Sequence, residues 1–248
     1  MFRAYFDASG NRTKSVLTMA GFVSREKKWE RFEDDWKALL PSTMTMFHMT
    51  DFVNSRKGWE SWKGPQHSKR RAEFISSLAE CIKKATNKGF AQSMRLSHYD
   101  QCDKDYRVTE HYGSLYGVLG MGCLGRLQKW ATKKKIDRKN ILCIFEDGDE
   151  GQGAFLKLAR AEGFNAIPQG KADIRAFDAC DLAAWKARAV VDDSWERQLQ
   201  LRDPKAADRI LSSLTLVEDI VSDAGEVGML TADGLKRACL VLRIPKRK

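Results

Sequence analysis

Apolar and polar side chains alternate at the start of the chain, from Phe2 to Asp7, which predicts a short strand ending in a carboxylate. Further β-rich runs predict four more strands, and apolar residues at helical spacing predict helices between them. The predicted strands cover residues 2–7, 16–23, 89–96, 141–145 and 165–168, and the predicted helices lie between Ser24 and Pro41 and over residues 68–86, 110–134, 154–161 and 178–191. The first two strands should form a hairpin. This mixture of strands and helices predicts an α/β or α+β fold.

Beyond residue 191 the chain shows helical segments without evident chemistry. We therefore expect one domain over residues 1–190 and a helical C-terminal extension over residues 191–248, packed on the same domain. With 248 residues the chain can bury a full hydrophobic core without disulfides. We expect no signal peptide, because the sequence enters a strand at once, and no membrane span, because no apolar run is long enough.

The six cysteines form no Cys-x-x-Cys pair, and most lie in apolar periodic segments. Buried free thiols in a reducing, cytoplasmic compartment are the expected state. The formal net charge is +10, which favours polyanion partners such as nucleic acid. Several acidic residues nevertheless stand singly at the ends of predicted strands. A basic surface around an acidic pocket suits a metal-dependent nuclease.

Four acidic residues share such positions. Asp7 and Glu146 end predicted strands, Asp51 opens a short helix, and Asp181 is expected in the first turn of the helix over residues 178–191. Hydrolysis of a phosphodiester with two Mg²⁺ ions needs hard oxygen ligands that hold the metals about 3.5–4 Å apart. Spacing leaves their convergence open, because a turn-capping Asp7, a loop Glu146 and a helix N-terminal Asp181 would give the same pattern.

Four short motifs resemble the landmarks of a large, mostly bacterial family. The motifs are Asp7-Ala-Ser-Gly10, Phe47-His48-Met49-Thr50-Asp51, Ile144-Phe145-Glu146-Asp147 and Phe177-Asp178-Ala179-Cys180-Asp181-Leu182-Ala183-Ala184-Trp185. The family is known only as a domain of unknown function (number 3800) and is grouped with the ribonuclease H-like superfamily. The resemblance spans residues 1 to about 190, with the motifs in the family's order.

The resemblance implies a ribonuclease H-like mixed five-stranded sheet flanked by helices, with an acidic site for two Mg²⁺ or Mn²⁺ ions at the strand ends. In that site Asp7 would bridge both metals, Glu146 and Asp181 would each help to hold one, and Asp51 would complete the set. His48 would orient a water or contact a phosphate. The implied activity is metal-dependent hydrolysis of phosphodiester bonds in nucleic acid.

The chain also departs from the family pattern. Asp147 stands next to Glu146 and could replace it as a ligand. Ala8 stands where the family usually has Glu, which removes a possible ligand oxygen, and Asp178 stands where Gln is common. A non-catalytic nucleic-acid-binding or protein-interaction module on the same fold, with Ala8 marking lost activity, is the alternative that these departures leave open.

A second alternative is a dinucleotide-binding protein. Gly120-Met-Gly122-Cys-Leu-Gly125 is a literal G-x-G-x-x-G, and Glu146 follows at roughly the distance of a ribose-binding acid. The residues before it, 112–117, are interrupted by glycine and make a poor buried strand. A packed helix with small residues at its contact face explains the motif better.

Overall fold

A six-stranded mixed sheet forms the centre of the protein in the computed structural model, which describes residues 1–10, 15–172, 174–200 and 226–246. The strands are β1 (Phe2–Ser9), β2 (Val16–Arg25), β3 (Lys88–Arg95), β4 (Ile141–Glu146), β5 (Asn165–Gln169) and β6 (Glu226–Leu230), in the spatial order β5-β4-β1-β2-β3-β6. Strands β1, β2 and β3 are antiparallel neighbours, whereas β4 is parallel to β1, β5 to β4, and β6 to β3.

Helices cover both faces of this sheet. They are α1 (Glu26–Leu39), α2 (Met49–Val53), α3 (Ser68–Ala85), α4 (Leu96–Asp105), α5 (Val108–Tyr112), α6 (Leu115–Lys133), α7 (Gln152–Ala161), α8 (Arg175–Gln200) and α9 (Ala232–Val241). Residues from α1, α2, α3 and α8 share one hydrophobic core, and residues from α4, α5, α6, α7 and α9 share the other. Because both faces are covered, the central strands are apolar on both sides.

Strand β1 shows how the two cores divide. Tyr5 enters the core beneath α8, where its ring meets Trp29 and Phe177 edge-on at centroid distances of 5.1 and 5.6 Å. Phe6 enters the opposite core and stacks on Phe145 of β4 at 4.8 Å. Successive residues of a strand point to opposite faces, so Asp7 follows Tyr5 toward the α8 face.

The five predicted strands are confirmed, and so is the hairpin of β1 and β2. The six cysteines are buried free thiols, as expected. No helix in the described ranges is long and apolar enough to cross a membrane. The chain is therefore an α/β protein built on a mixed sheet flanked by helices.

Three local predictions are wrong. The sheet has a sixth strand, Glu226–Leu230, so the extension is not purely helical, and the boundary at residue 190 falls inside α8. This strand is short, and its own sequence pattern does not predict it. It is stabilised by pairing with the otherwise open edge of β3. The predicted helix over residues 110–134 is interrupted at Gly113, where a φ of 78° ends α5. Residues 201–225, also predicted helical, lie outside the described residues.

Candidate active site

The parallel pairing of β1 and β4 brings two predicted site residues side by side. Phe6 and Phe145 are register partners, and Asp7 and Glu146 each come one residue later. Because both strands run in the same direction, their carboxyl ends meet at one edge of the sheet, which is where α/β proteins place their ligands. Asp7 is 5% exposed, and the Glu146 side chain is half-buried.

Helix α8 crosses β1 and β2 on the same face and supplies the third carboxylate. Asp181 is 5% exposed, and its charge raises the pKa of Asp7, so the two groups are electrostatic neighbours. The helix begins at Arg175, three residues earlier than predicted, so Asp181 lies in its second turn and not in its first. Its role as a mere helix N-terminal acid is therefore excluded.

A lysine that the sequence did not single out lies among these carboxylates. Lys171, on the connection from β5 to α8, donates from Nζ to Asp7 Oδ2 and to Glu146 Oε2, each at 3.2 Å. Its side chain is only 11% exposed. We call Asp7, Glu146, Asp181 and Lys171 the lysine–carboxylate cluster.

Electrostatics in this cluster are strongly coupled. Burial raises the pKa of Asp7 well above its ordinary value, the charges of Asp181 and Glu146 raise it further, and Lys171 opposes them. Burial alone would lower the pKa of Lys171, but the charges of the three carboxylates outweigh it and raise that pKa above its ordinary value. Lys171 is therefore a permanently charged ammonium at neutral pH. The Asp7 carboxylate is oriented further by Ala8 N, which donates to Oδ1 at 2.6 Å.

Behind Glu146 lies a second polar layer. Gln152 donates from Nε2 to the backbone oxygen of Glu146 and lies 3.5 Å from the Tyr116 hydroxyl. Burial, together with the charge of Glu146, raises the pKa of Asp149 to about 6, although Lys171 opposes the shift. Asp149 thus belongs to the electrostatic surroundings of the cluster. The sequence did not single it out, because it lies in a turn among other acidic residues.

Two carboxylates of α8 hold the peptide on either side of His48. Asp181 Oδ2 accepts from Met49 N at 2.6 Å, and Asp178 Oδ2 accepts from Phe47 N at 3.0 Å. His48 Nδ1 lies 3.9 Å from Asp181 Oδ2 and is buried without a hydrogen-bond partner in the described part of the chain. The ring as a whole is 41% exposed. His48 therefore stands between the cluster and solvent.

Asp178 supports this arrangement from the interior. It is fully buried and accepts from Trp36 Nε1 at 3.1 Å and from the Arg175 guanidinium at 3.3 Å. Burial raises its pKa to about 7, against the hydrogen bond from Phe47 N and the charge of Arg175. Asp178 thus acts as an internal anchor for the segment that carries His48.

Asp51 and Asp147 are not brought into the cluster. Asp51 Oδ2 forms an ion pair with the exposed Lys57 at 3.0 Å, and Asp147 is exposed on the turn after β4. Within the described ranges, neither side chain shares a hydrogen bond or an ion pair with Asp7, Glu146 or Asp181. That Asp51 completes the ligand set, and that Asp147 could replace Glu146 in it, remain predictions.

The carboxylate oxygens of Asp7, Glu146 and Asp181 are the donors that Mg²⁺ and Mn²⁺ prefer. Their arrangement, however, surrounds an ammonium group. Among the residues that the structure describes, no three His, Cys, Asp or Glu side chains are disposed to hold a metal ion. The donor chemistry therefore fits a divalent cation, whereas the position between Asp7 and Glu146 is taken by Lys171 Nζ.

The glycine motif lies in the middle of α6 and not at a turn between a strand and a helix. A Cβ on Gly120 would lie 2.5 Å from the Phe155 ring, and one on Gly122 would lie 2.2 Å from the Gln92 side chain. These glycines allow close packing of α6 against its neighbours. The dinucleotide-binding interpretation is therefore wrong, because that motif must follow a strand and open a helix.

The fold and site define an α/β protein that carries a buried lysine–carboxylate cluster at the carboxyl ends of two parallel strands. No protein-family model matches the chain, and a search of curated proteins found no match.

Proposed function

We propose that the protein is a metal-dependent nuclease of ribonuclease H-like type, which hydrolyses phosphodiester bonds in nucleic acid. The observation that carries the proposal is that β1, β4 and α8 direct Asp7, Glu146 and Asp181 to the surroundings of one cationic group. Carboxylates from separate elements that enclose a cation are what metal-assisted phosphodiester hydrolysis requires.

The topology supports this proposal. Strands β1 to β5 follow the order β5-β4-β1-β2-β3, with three antiparallel strands and two parallel ones. This agrees with the mixed five-stranded sheet that the family resemblance implies, with β6 added at the β3 edge. The cluster lies at the strand ends, where the resemblance implies the acidic site.

In the proposed reaction Asp7, Glu146 and Asp181 would hold the divalent cation, and the buried setting would keep bulk water away from it. When bound, Mg²⁺ or Mn²⁺ supplies positive charge to the phosphoryl oxygens and the leaving group. His48, anchored through its neighbours by Asp178 and Asp181, would orient a water or contact a substrate phosphate. Because Nδ1 faces Asp181, the exposed part of the His48 ring would be available for that contact.

A basic side chain adjoins the same strand end. Arg188 of α8 donates from Nε to Ser9 Oγ at 3.2 Å, two residues beyond Asp7. Its guanidinium also pairs with Asp192 at 3.1 Å. The net charge of +10 supports a polyanionic substrate, because phosphate contacts supply most of the affinity for nucleic acid.

Cleavage of labelled single-stranded, duplex and hybrid oligonucleotides, with Mg²⁺ or Mn²⁺ added to chelator-treated protein, tests the proposal. We expect metal-dependent cleavage that D7N and D181N reduce at least about a hundredfold, an effect typical of lost electrostatic stabilisation. D100N is the matched control, because it removes an exposed carboxylate on α4, which packs on the other face of the sheet. Wild-type protein that cleaves none of these substrates with either metal would refute the proposal.

One observation favours a second candidate, a nucleic-acid-binding module without catalysis. Lys171 offsets part of the carboxylate charge without any metal, because its ammonium pairs with both Asp7 and Glu146. In that case oligonucleotide binding would weaken steeply with salt, and no cleavage would be seen with or without Mg²⁺.

A further inference from the structure

We infer that Lys171 is a built-in competitor of the divalent cation: its ammonium occupies the cation position between Asp7 and Glu146, and metal binding requires this side chain to leave. The inference deepens the proposed function, on which it rests for the identity of the ligand as a divalent metal. It assigns a role to a residue outside every motif considered in the sequence.

The first step is geometric. One Nζ atom lies 3.2 Å from an oxygen of Asp7 and 3.2 Å from an oxygen of Glu146. Oxygen ligands of Mg²⁺ must lie about 2.0–2.1 Å from the metal. A metal ion bound by both of these oxygens on the side that Nζ now occupies would therefore lie within contact distance of the ammonium, and the two cannot share that position.

The second step concerns charge. An ammonium beside a divalent cation in a buried site would be strongly repelled, because a low-polarity interior screens charges poorly. The Lys171 side chain is 11% exposed and the Asp7 side chain 6%, so both groups lie in such surroundings. A metal ion at this position is therefore destabilised electrostatically as long as the Lys171 ammonium remains beside it.

The third step concerns the way out. Lys171 reaches into the cluster from a connection whose neighbouring residues Gly170 and Ala172 are exposed. Its backbone oxygen accepts from Ile174 N at 3.1 Å, which fixes the main chain but not the long side chain. Rotation about side-chain bonds can thus carry the ammonium to solvent without rearranging the sheet or α8.

Direct Mn²⁺ binding to chelator-treated wild-type protein and K171M, measured by calorimetry and by the spectroscopic signal of free Mn²⁺, tests the inference. We expect K171M to bind Mn²⁺ at least about tenfold more tightly, because the apparent affinity of a ligand falls with the fraction of molecules whose site is competent. The control is K57M, which removes the exposed partner of Asp51 and should leave the affinity unchanged. The gain should disappear in K171M/D7N, which places the effect at the cluster.

A second measurement needs no variant. Reductive methylation of wild-type protein, followed by mass spectrometry, reports how accessible each lysine amine is. Saturating Mn²⁺ should raise the modification of Lys171 at least severalfold, whereas Lys57, whose side chain is 79% exposed, should react equally with and without the metal.

Two results would overturn the inference. One is a K171M protein that binds Mn²⁺ no more tightly than wild type, including the case in which neither binds. The other is unchanged methylation of Lys171 when the wild-type site is saturated. Tighter Mn²⁺ binding by K171M in proteins that cleave no oligonucleotide would support the competitor role and refute the nuclease proposal, so the two failures are distinguishable.

Discussion

Replacing Asp178 by alanine should destabilise the protein strongly and loosen the segment around His48, whereas asparagine should be tolerated much better. The Asp178 carboxylate is fully buried, and its Oδ2 atom accepts from Trp36 Nε1, Phe47 N and the Arg175 guanidinium. D178A removes the acceptor and leaves three buried donors, one of them charged. D178N retains an oxygen at the same position.

The size of the effect follows from those donors. Removing one partner of a buried ion pair costs about 3–5 kcal/mol, because the remaining charge is left uncompensated. We therefore expect D178A to lower the free energy of unfolding by about 3–5 kcal/mol. We expect about 1–2 kcal/mol for D178N, which weakens the contact with Arg175 but keeps neutral hydrogen bonds.

The difference between wild type and D178N should also depend on pH. Burial raises the pKa of Asp178 from 3.8 to about 7, so the folded protein holds a proton that the unfolded chain has already released. Wild type therefore loses stability relative to D178N as the pH rises from about 4 to about 7, by up to about 1.4 kcal/mol per pH unit. Above that window the difference should level off.

Urea denaturation of the three proteins at several pH values between 5 and 8 measures both effects. Hydrogen exchange at the amides of Phe47 and Met49 reports whether the His48 segment has loosened in D178A. A D178A protein destabilised by less than about 1 kcal/mol would refute the anchoring role. A difference between wild type and D178N that stays constant with pH would refute the raised pKa.

Three further outcomes are expected. G120A should lower the free energy of unfolding by about 1–3 kcal/mol in chemical denaturation, because its Cβ would lie 2.5 Å from the Phe155 ring. The matched control is G125A, whose Cβ would meet open space in the same helix, so it should be neutral or stabilising by up to about 1 kcal/mol. D51N should retain cleavage within about threefold of wild type, since its carboxylate pairs with an exposed lysine outside the cluster, and a loss as large as that of the cluster variants would contradict this placement. W59A should cost about 3–5 kcal/mol in thermal or chemical unfolding, because Trp59 is 1% exposed among aromatic rings, and near-native stability would contradict its place in the core.

The sheet was largely predictable because strands β1 to β5 each carry their own local pattern. Strand β6 was not, since Glu226–Leu230 is short, contains Gly228 and is stabilised by the edge of a distant strand. The break at Gly113 was also hidden, because apolar residues continue on both sides of it at helical spacing. Patterns of neighbouring residues report local preference, whereas these features depend on contacts between remote segments.

The candidate site divides in the same way. Asp7 and Glu146 could each be expected near the end of an apolar strand, but only the parallel pairing of β1 and β4 brings them together at one edge of the sheet. Lys171 could not, since it is one of 43 basic residues and only the path from β5 to α8 brings it to the cluster. One physical signal pointed to such a group: buried carboxylates require a compensating cation.

The position of Ala8 in β1 shows what the lack of a glutamate at this residue means for the candidate site. Ala8 follows Asp7 in β1, so the two side chains point to opposite faces of the sheet, and Ala8 packs against the core that contains Phe6. A glutamate there would be directed away from α8, where Asp181 lies. The alanine at position 8 therefore removes no ligand oxygen from the α8 side of the cluster. The Ala8 backbone meanwhile keeps a hydrogen bond to Asp7, a contact that any residue at this position could make.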